Sequence, residues 1–212
     1  PSAFTKGKIK KGYIFRETST AGNCWLTIDA PNGRPDLGVR RWPGQPASAT
    51  APATGDATAP DTEAVAVFDL DPQTALHIDL HGQLIAVLEI VSPRSKDRPS
   101  ARERYASRYV GYIRQGVHLL LIDILPRPVG FSFADVVSSN LGFAQPPCPV
   151  PFAVSFRVGE SVPEGTLLAV WRRPLTAGES LSTIPLALTL TQEIIIDLEQ
   201  TYREAARRVY MD

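Results

Sequence analysis

The chain has 212 residues, with 22 Lys and Arg against 22 Asp and Glu, so its formal net charge is zero. Its 43% hydrophobic and 21% charged content excludes a wholly disordered protein, and the length suits one domain with a sizeable core. No apolar run long enough to cross a membrane and no secretory leader pattern is read, and the neutral total excludes a strongly basic nucleic-acid coat protein.

The neutrality is a sum of unlike parts. Residues 1–41 carry eight basic and three acidic side chains, residues 56–79 six acidic and no basic ones, and residues 94–114 seven basic and two acidic. Such segregation can build a basic face for an anionic ligand on a neutral protein. Two cysteines, Cys24 and Cys148, fit no zinc or redox spacing and read as two buried or partly buried thiols of a cytoplasmic protein or as a single disulfide.

In chain order, 12–16 and 24–29 read as strands of a hairpin turning at 18–23, and 36–42 as a third strand. The segment 43–60 is almost pure Pro, Ala, Thr, Gly and Ser, so 43–62 is an insertion that cannot bury a core. Strands follow at 64–69, 75–81 and 84–92. Ser100 and Glu103 have capping-box spacing ahead of a helix over 100–115, whose stop is Gly116. The run 117–125 is apolar on both faces, as in an interior parallel strand, which completes a β-α-β unit. Residues 152–158 and 166–171 read as an antiparallel pair. The last helix is capped by Asp197 and shows an apolar face of Leu198, Tyr202, Ala205 and Val209.

An ionised carboxylate inside the apolar strand 84–92 is costly without a partner, so Glu89 must be paired, metal-bound or catalytic. An arginine from 94–108 would serve as partner. If Asp36, which opens its strand after Pro35, lies on the neighbouring strand, the two carboxylates could hold magnesium, which would polarise a phosphodiester and activate water. His77, Asp79 and His81 alternate and so share one strand face, a pattern of a transition-metal site or of an exposed polar face. Asp79 could add a carboxylate to the magnesium set. Asp123, in the apolar run, has the same ambiguity as Glu89. His118 reads as a hydrogen-bonded core or edge residue, and the helix tyrosines 105, 109 and 112 as packing residues.

LIAVLEIVSPRSK (84–96), a Tyr- and Arg-rich helix and then GVHLLLIDIL (116–125) resemble a bacterial family, domain-of-unknown-function family 4058, with its "RPD", "ELLSP-x-x-K" and "SGVHLVEIDLL". Residues 181–210 resemble the same family's ending, so the resemblance runs in order over 34–210. That family is similar to the PD-(D/E)XK, restriction-endonuclease-like superfamily, including Uma-type endonucleases.

The resemblance implies an α/β (α+β) fold, a mixed β-sheet with flanking helices. A nuclease-like core over 12–130 would be followed by a β-rich extension over 131–212 within a single domain. It implies magnesium on Asp36 and Glu89, to which the Asp79 read above could add a carboxylate. The superfamily lysine that assists the attacking water is replaced here by Val91, which leaves Lys96 as a displaced helper. Arg94, Arg104 and Arg108 would meet the substrate, although arginine is a poor general base because it does not deprotonate. Two functions follow as expectations. One is a magnesium-dependent nuclease acting on nucleic acid. The alternative is a non-catalytic structural or interaction protein that self-associates as a homo-oligomer through the Pro-rich apolar blocks at 143–152 and 181–190.

Overall fold

A computed structural model describes the backbone at residues 19–20, 24–27, 37–41, 58–68 and 83–210, and side chains at 58–68 and 84–207. In chain order the elements are β1 (Ser19–Thr20), β2 (Cys24–Thr27), β3 (Leu37–Arg41), β4 (Thr62–Ala66), β5 (Gln83–Ile90), α1 (Pro93–Lys96), α2 (Pro99–Arg114), β6 (His118–Asp123), α3 (Phe133–Asn140), β7 (Phe152–Val162), β8 (Gly165–Pro174), β9 (Thr183–Ala187), β10 (Glu193–Asp197) and α4 (Leu198–Tyr210). The fold is α+β. Among the described residues, eight strands form one mixed sheet in the order β1-β2-β3-β5-β6-β7-β8-β4, and β9 and β10 form a separate antiparallel ribbon.

The pair β5–β6 is parallel, with Ala86 opposite His118 and Glu89 opposite Leu121, and α2 connects the two strands. Strands β7 and β8 lie between β6 and β4, so residues on both sides of position 130 share a single sheet. One face of that sheet is covered by α2 and α3. Its core includes Tyr109, Ile113, Leu119, Leu121, Phe133 and Phe156, and the Tyr109 and Phe133 rings meet edge to face at 5.3 Å. The opposite face carries a second core in which Leu120 and Trp171 pack with Ile184 and Leu186 of β9. Apolar residues on both faces are what a sheet buried on two sides requires.

A register shift sets which face Glu89 occupies. On β3, Val39 pairs with Ala86 and the next residue, Arg40, with Leu84, so Ile85 is the extra residue of a bulge. Ile85 and Ala86 both join the second core, whereas Val87 and Val91 join the first. Glu89 is in phase with Val87 and Val91 and therefore points under α2.

Several sequence expectations need correction. The capping box at Ser100 is not formed: Pro99 takes the first helical position, and its preceding residue Arg98 is held extended as the N-cap, with no side-chain cap. The stop at Gly116 is observed, with φ +77. A strand lies at Ser19–Thr20, inside the expected turn, pairing with Trp25 and Cys24. Helix α3 and strand β10 were not anticipated, and β9 forms despite Pro185, because each strand of a two-stranded ribbon has an outer edge where no donor is needed. Asp197 does cap α4, its Oδ1 accepting the Gln200 N–H at 2.9 Å. The expected apolar face of α4 is, however, exposed at Tyr202 and Ala205, and only Leu198 of the described side chains on it is buried. The segments 12–16, 43–57 and 75–81 lie outside the described residues.

Candidate functional site

The chemistry-bearing side chains converge where β5 and β6 leave the sheet beneath α1 and α2. Leu121 stands opposite Glu89, and Asp123 is two residues further along β6. The two carboxylates therefore share one face of neighbouring strands, and both are buried, at 1% and 0% exposure. Two buried acids on one apolar face demand two cations, and the following helices supply them.

Arg108 of α2 reaches Glu89, with Nη2 donating to Oε2 at 2.6 Å, while the Tyr112 hydroxyl donates to Oε1 at 3.4 Å. Arg108 and Tyr112 sit four residues apart, so one helix face brings both to the carboxylate. The Arg108 guanidinium also lies 4.8 Å from the Tyr105 ring centre and 5.7 Å from that of Tyr109, an aromatic cradle that fixes its plane. Burial opposes the charge on Arg108, but Glu89 and the surrounding tyrosines hold its pKa above the ordinary arginine value.

Lys96, at the end of α1, is itself buried. Its Nζ donates to the Leu125 carbonyl at 2.7 Å and lies 2.8 Å from Asp123 Oδ2. Asp123 Oδ1 accepts the Leu125 N–H at 3.2 Å. Burial raises the Asp123 pKa from its ordinary value, against the pull of Lys96 and of that N–H. Arg102 closes the corner, donating to the Lys96 carbonyl at 3.2 Å with its guanidinium 5.4 Å from the Phe131 ring centre. An open groove of about 570 Å³ outside this corner is lined by Lys96, Asp97, Arg102 and Arg127.

Of the site residues expected from the sequence, Glu89 meets Arg108, as an arginine partner from 94–108 would require, and Lys96 meets Asp123. Val91 is packed into the core at 2% exposure. Arg94 and Arg104 are exposed, Arg104 lying 5.5 Å from the Tyr105 ring centre. Asp36, Asp79, His77 and His81 lie outside the described residues. Leu37, one residue after Asp36, pairs with Leu88, one residue before Glu89. Among the described residues no three His, Cys, Asp or Glu side chains are grouped to hold a metal ion.

His118 is a buried residue whose Nδ1 accepts the Val158 N–H at 3.1 Å, next to the register shift of β7. Cys148 is a buried free thiol, pushed up to about 11 chiefly by burial and then by Asp135. The pairing of Lys96 with Asp123 and the part played by Tyr112 were not read from the sequence. The signal was there: a second acid inside an apolar strand, with one lysine available just after the first strand.

No helix among the described residues is long and apolar enough to cross a membrane. Comparison of the chain with protein-family models, with curated proteins and with solved structures finds no match.

Proposed function

We propose that this protein is a non-catalytic interaction protein built on a PD-(D/E)XK-like, restriction-endonuclease-like fold, and that it works by self-association as a homo-oligomer. The observation that carries the non-catalytic half of this reading is the engagement of Glu89. Its two oxygens are taken by Arg108 and Tyr112 in a site of 1% exposure, with Val91 where the assisting lysine would stand. Lys96, the remaining candidate helper, is neutralised by Asp123. A carboxylate held by a guanidinium has little left to offer a cation that takes its ligands from hard oxygens. The buried free thiol of Cys148 fits a reducing, cytoplasmic setting.

The test is cleavage of single- and double-stranded DNA and RNA with magnesium or manganese, by the full chain and by Glu89→Gln. The proposal expects neither protein to cut. Cleavage by the full chain that is lost in Glu89→Gln would reject it.

One observation favours a second reading, a magnesium-dependent nuclease of nucleic acid with Asp36, Glu89 and Asp79 as ligands. The pairing of Leu37 with Leu88 brings β3 alongside β5 at the position next to Glu89. Under this reading Arg108 would have to release Glu89 when metal enters, Lys96 would have to leave Asp123 to assist the attacking water, and Arg94, Arg104 and Arg108 would meet the substrate.

A further inference from the structure

Among the described residues, helix α4 is the one helix whose apolar stripe the fold leaves largely open. Leu198, Tyr202 and Ala205 follow spacings of four and three, the seam of a coiled coil. Only Leu198 is buried, against the β9–β10 ribbon, while Tyr202 is 64% exposed. Beside the stripe, an open groove of about 420 Å³ separates α4 from β10 and is lined among others by Ile195, Ile196, Thr201 and Ala205. Ile195 is 44% exposed. An aromatic, an isoleucine and a small residue at the centre form a surface that another helix can approach closely.

The charges along α4 indicate which helix. Residues 197–204 contain Asp197, Glu199 and Glu204 against one Arg203, whereas 205–210 contain Arg207 and Arg208 and no acid. A second copy of the same helix laid antiparallel sets each acidic half over a basic half, and the two helix dipoles then oppose. Such a contact is self-complementary and closes as a two-fold dimer.

We propose that two copies of this chain associate by antiparallel packing of α4 on α4, with Tyr202 and Ala205 at the centre and the partner's helix lying along the groove beside Ile195. This rests on the self-association reading above and names the surface responsible for it.

Sedimentation velocity of the full chain over a range of concentrations tests it, alongside Tyr202→Glu and Ala205→Glu. Both side chains are exposed, so circular dichroism should stay at the parent values, and melting should match that of the parent diluted to monomer, since the dimer itself adds stability. The expected result is a dimer for the parent and monomers for both variants at the same concentration. Glu204→Lys and Arg207→Glu should each weaken the dimer, and an equimolar mixture of the two should restore it. A parent dimer that both glutamate variants leave intact overturns the α4 surface while self-association stands. A dimer lost in those variants but not restored in the mixture overturns the antiparallel arrangement. A parent that stays monomeric throughout overturns both this inference and the self-association reading.

Discussion

Lys96 and Asp123, 27 positions apart in sequence, meet at 2.8 Å with side-chain exposures of 3% and 0%. The pair ties α1 to the end of β6, and the Leu125 carbonyl takes a further hydrogen bond from the same ammonium. Removing one partner leaves the other charge buried and uncompensated, which costs about 3–5 kcal/mol, whereas replacing both by apolar groups is often neutral. Lys96→Met and Asp123→Leu should each destabilise the fold by about that much, and the double variant by much less. Urea unfolding of all four proteins measures the coupling. Additive losses would show that the two groups do not depend on each other.

The same carboxyl shapes the acid side of the stability curve. Burial raises Asp123 above its ordinary 3.8, with Lys96 and the Leu125 N–H acting in the opposite direction. The fold thus binds this proton more tightly than the unfolded chain does. Its stabilising contribution is full below 3.8 and is lost as pH rises through the raised folded value. Asp123→Asn has no such titration, so the stability gap between parent and variant should move toward the variant as pH climbs through that window. A gap that moves toward the parent would contradict the assignment.

Arg108 is predicted to matter more to folding than the exposed arginines near it. Arg108→Met takes the guanidinium away from Glu89 in a buried site and should cost about 3 kcal/mol or more. Tyr112→Phe removes one long hydrogen bond and should cost about 1 kcal/mol. Arg94→Met and Arg104→Met should stay within about 0.5 kcal/mol of the parent, as exposed changes generally do. Thermal melts rank the four.

Much of the framework was legible because hydrophobic phase is a local property. The run around Leu119 to Ile122 could only be an interior strand, and Gly116 marked the end of the helix before it. Glu89 stood out for the same reason, as a charge inside an apolar strand. What escaped was set by tertiary structure. Nothing near Lys96 in sequence announces Asp123, and whether the α4 stripe is buried depends on what else packs there. Ser100 and Glu103 had the right spacing for a cap, yet the fixed φ of Pro99 claimed the helix start first. The β5 bulge at Ile85, which decides the face Glu89 occupies, arises from pairing with β3 and leaves no trace in the β5 sequence.

Cys148 should be chemically quiet in the native protein. Its thiol is buried and raised to about 11, so little thiolate exists at neutral pH. Alkylation mapped by mass spectrometry should leave Cys148 unmodified at pH 8 under native conditions and label it fully in denaturant. Rapid native labelling would show that this side chain opens to solvent.

The engagement of Glu89 by Arg108 is tested most directly by titrating the protein with magnesium and with manganese while following the unfolding temperature. A ligand that binds the folded state raises that temperature in a saturable way. Parent and Glu89→Gln should respond alike, with no more than the shift a matched ionic-strength control gives. A saturable stabilisation of the parent that disappears in Glu89→Gln would show that Glu89 is a metal ligand and contradict the non-catalytic reading.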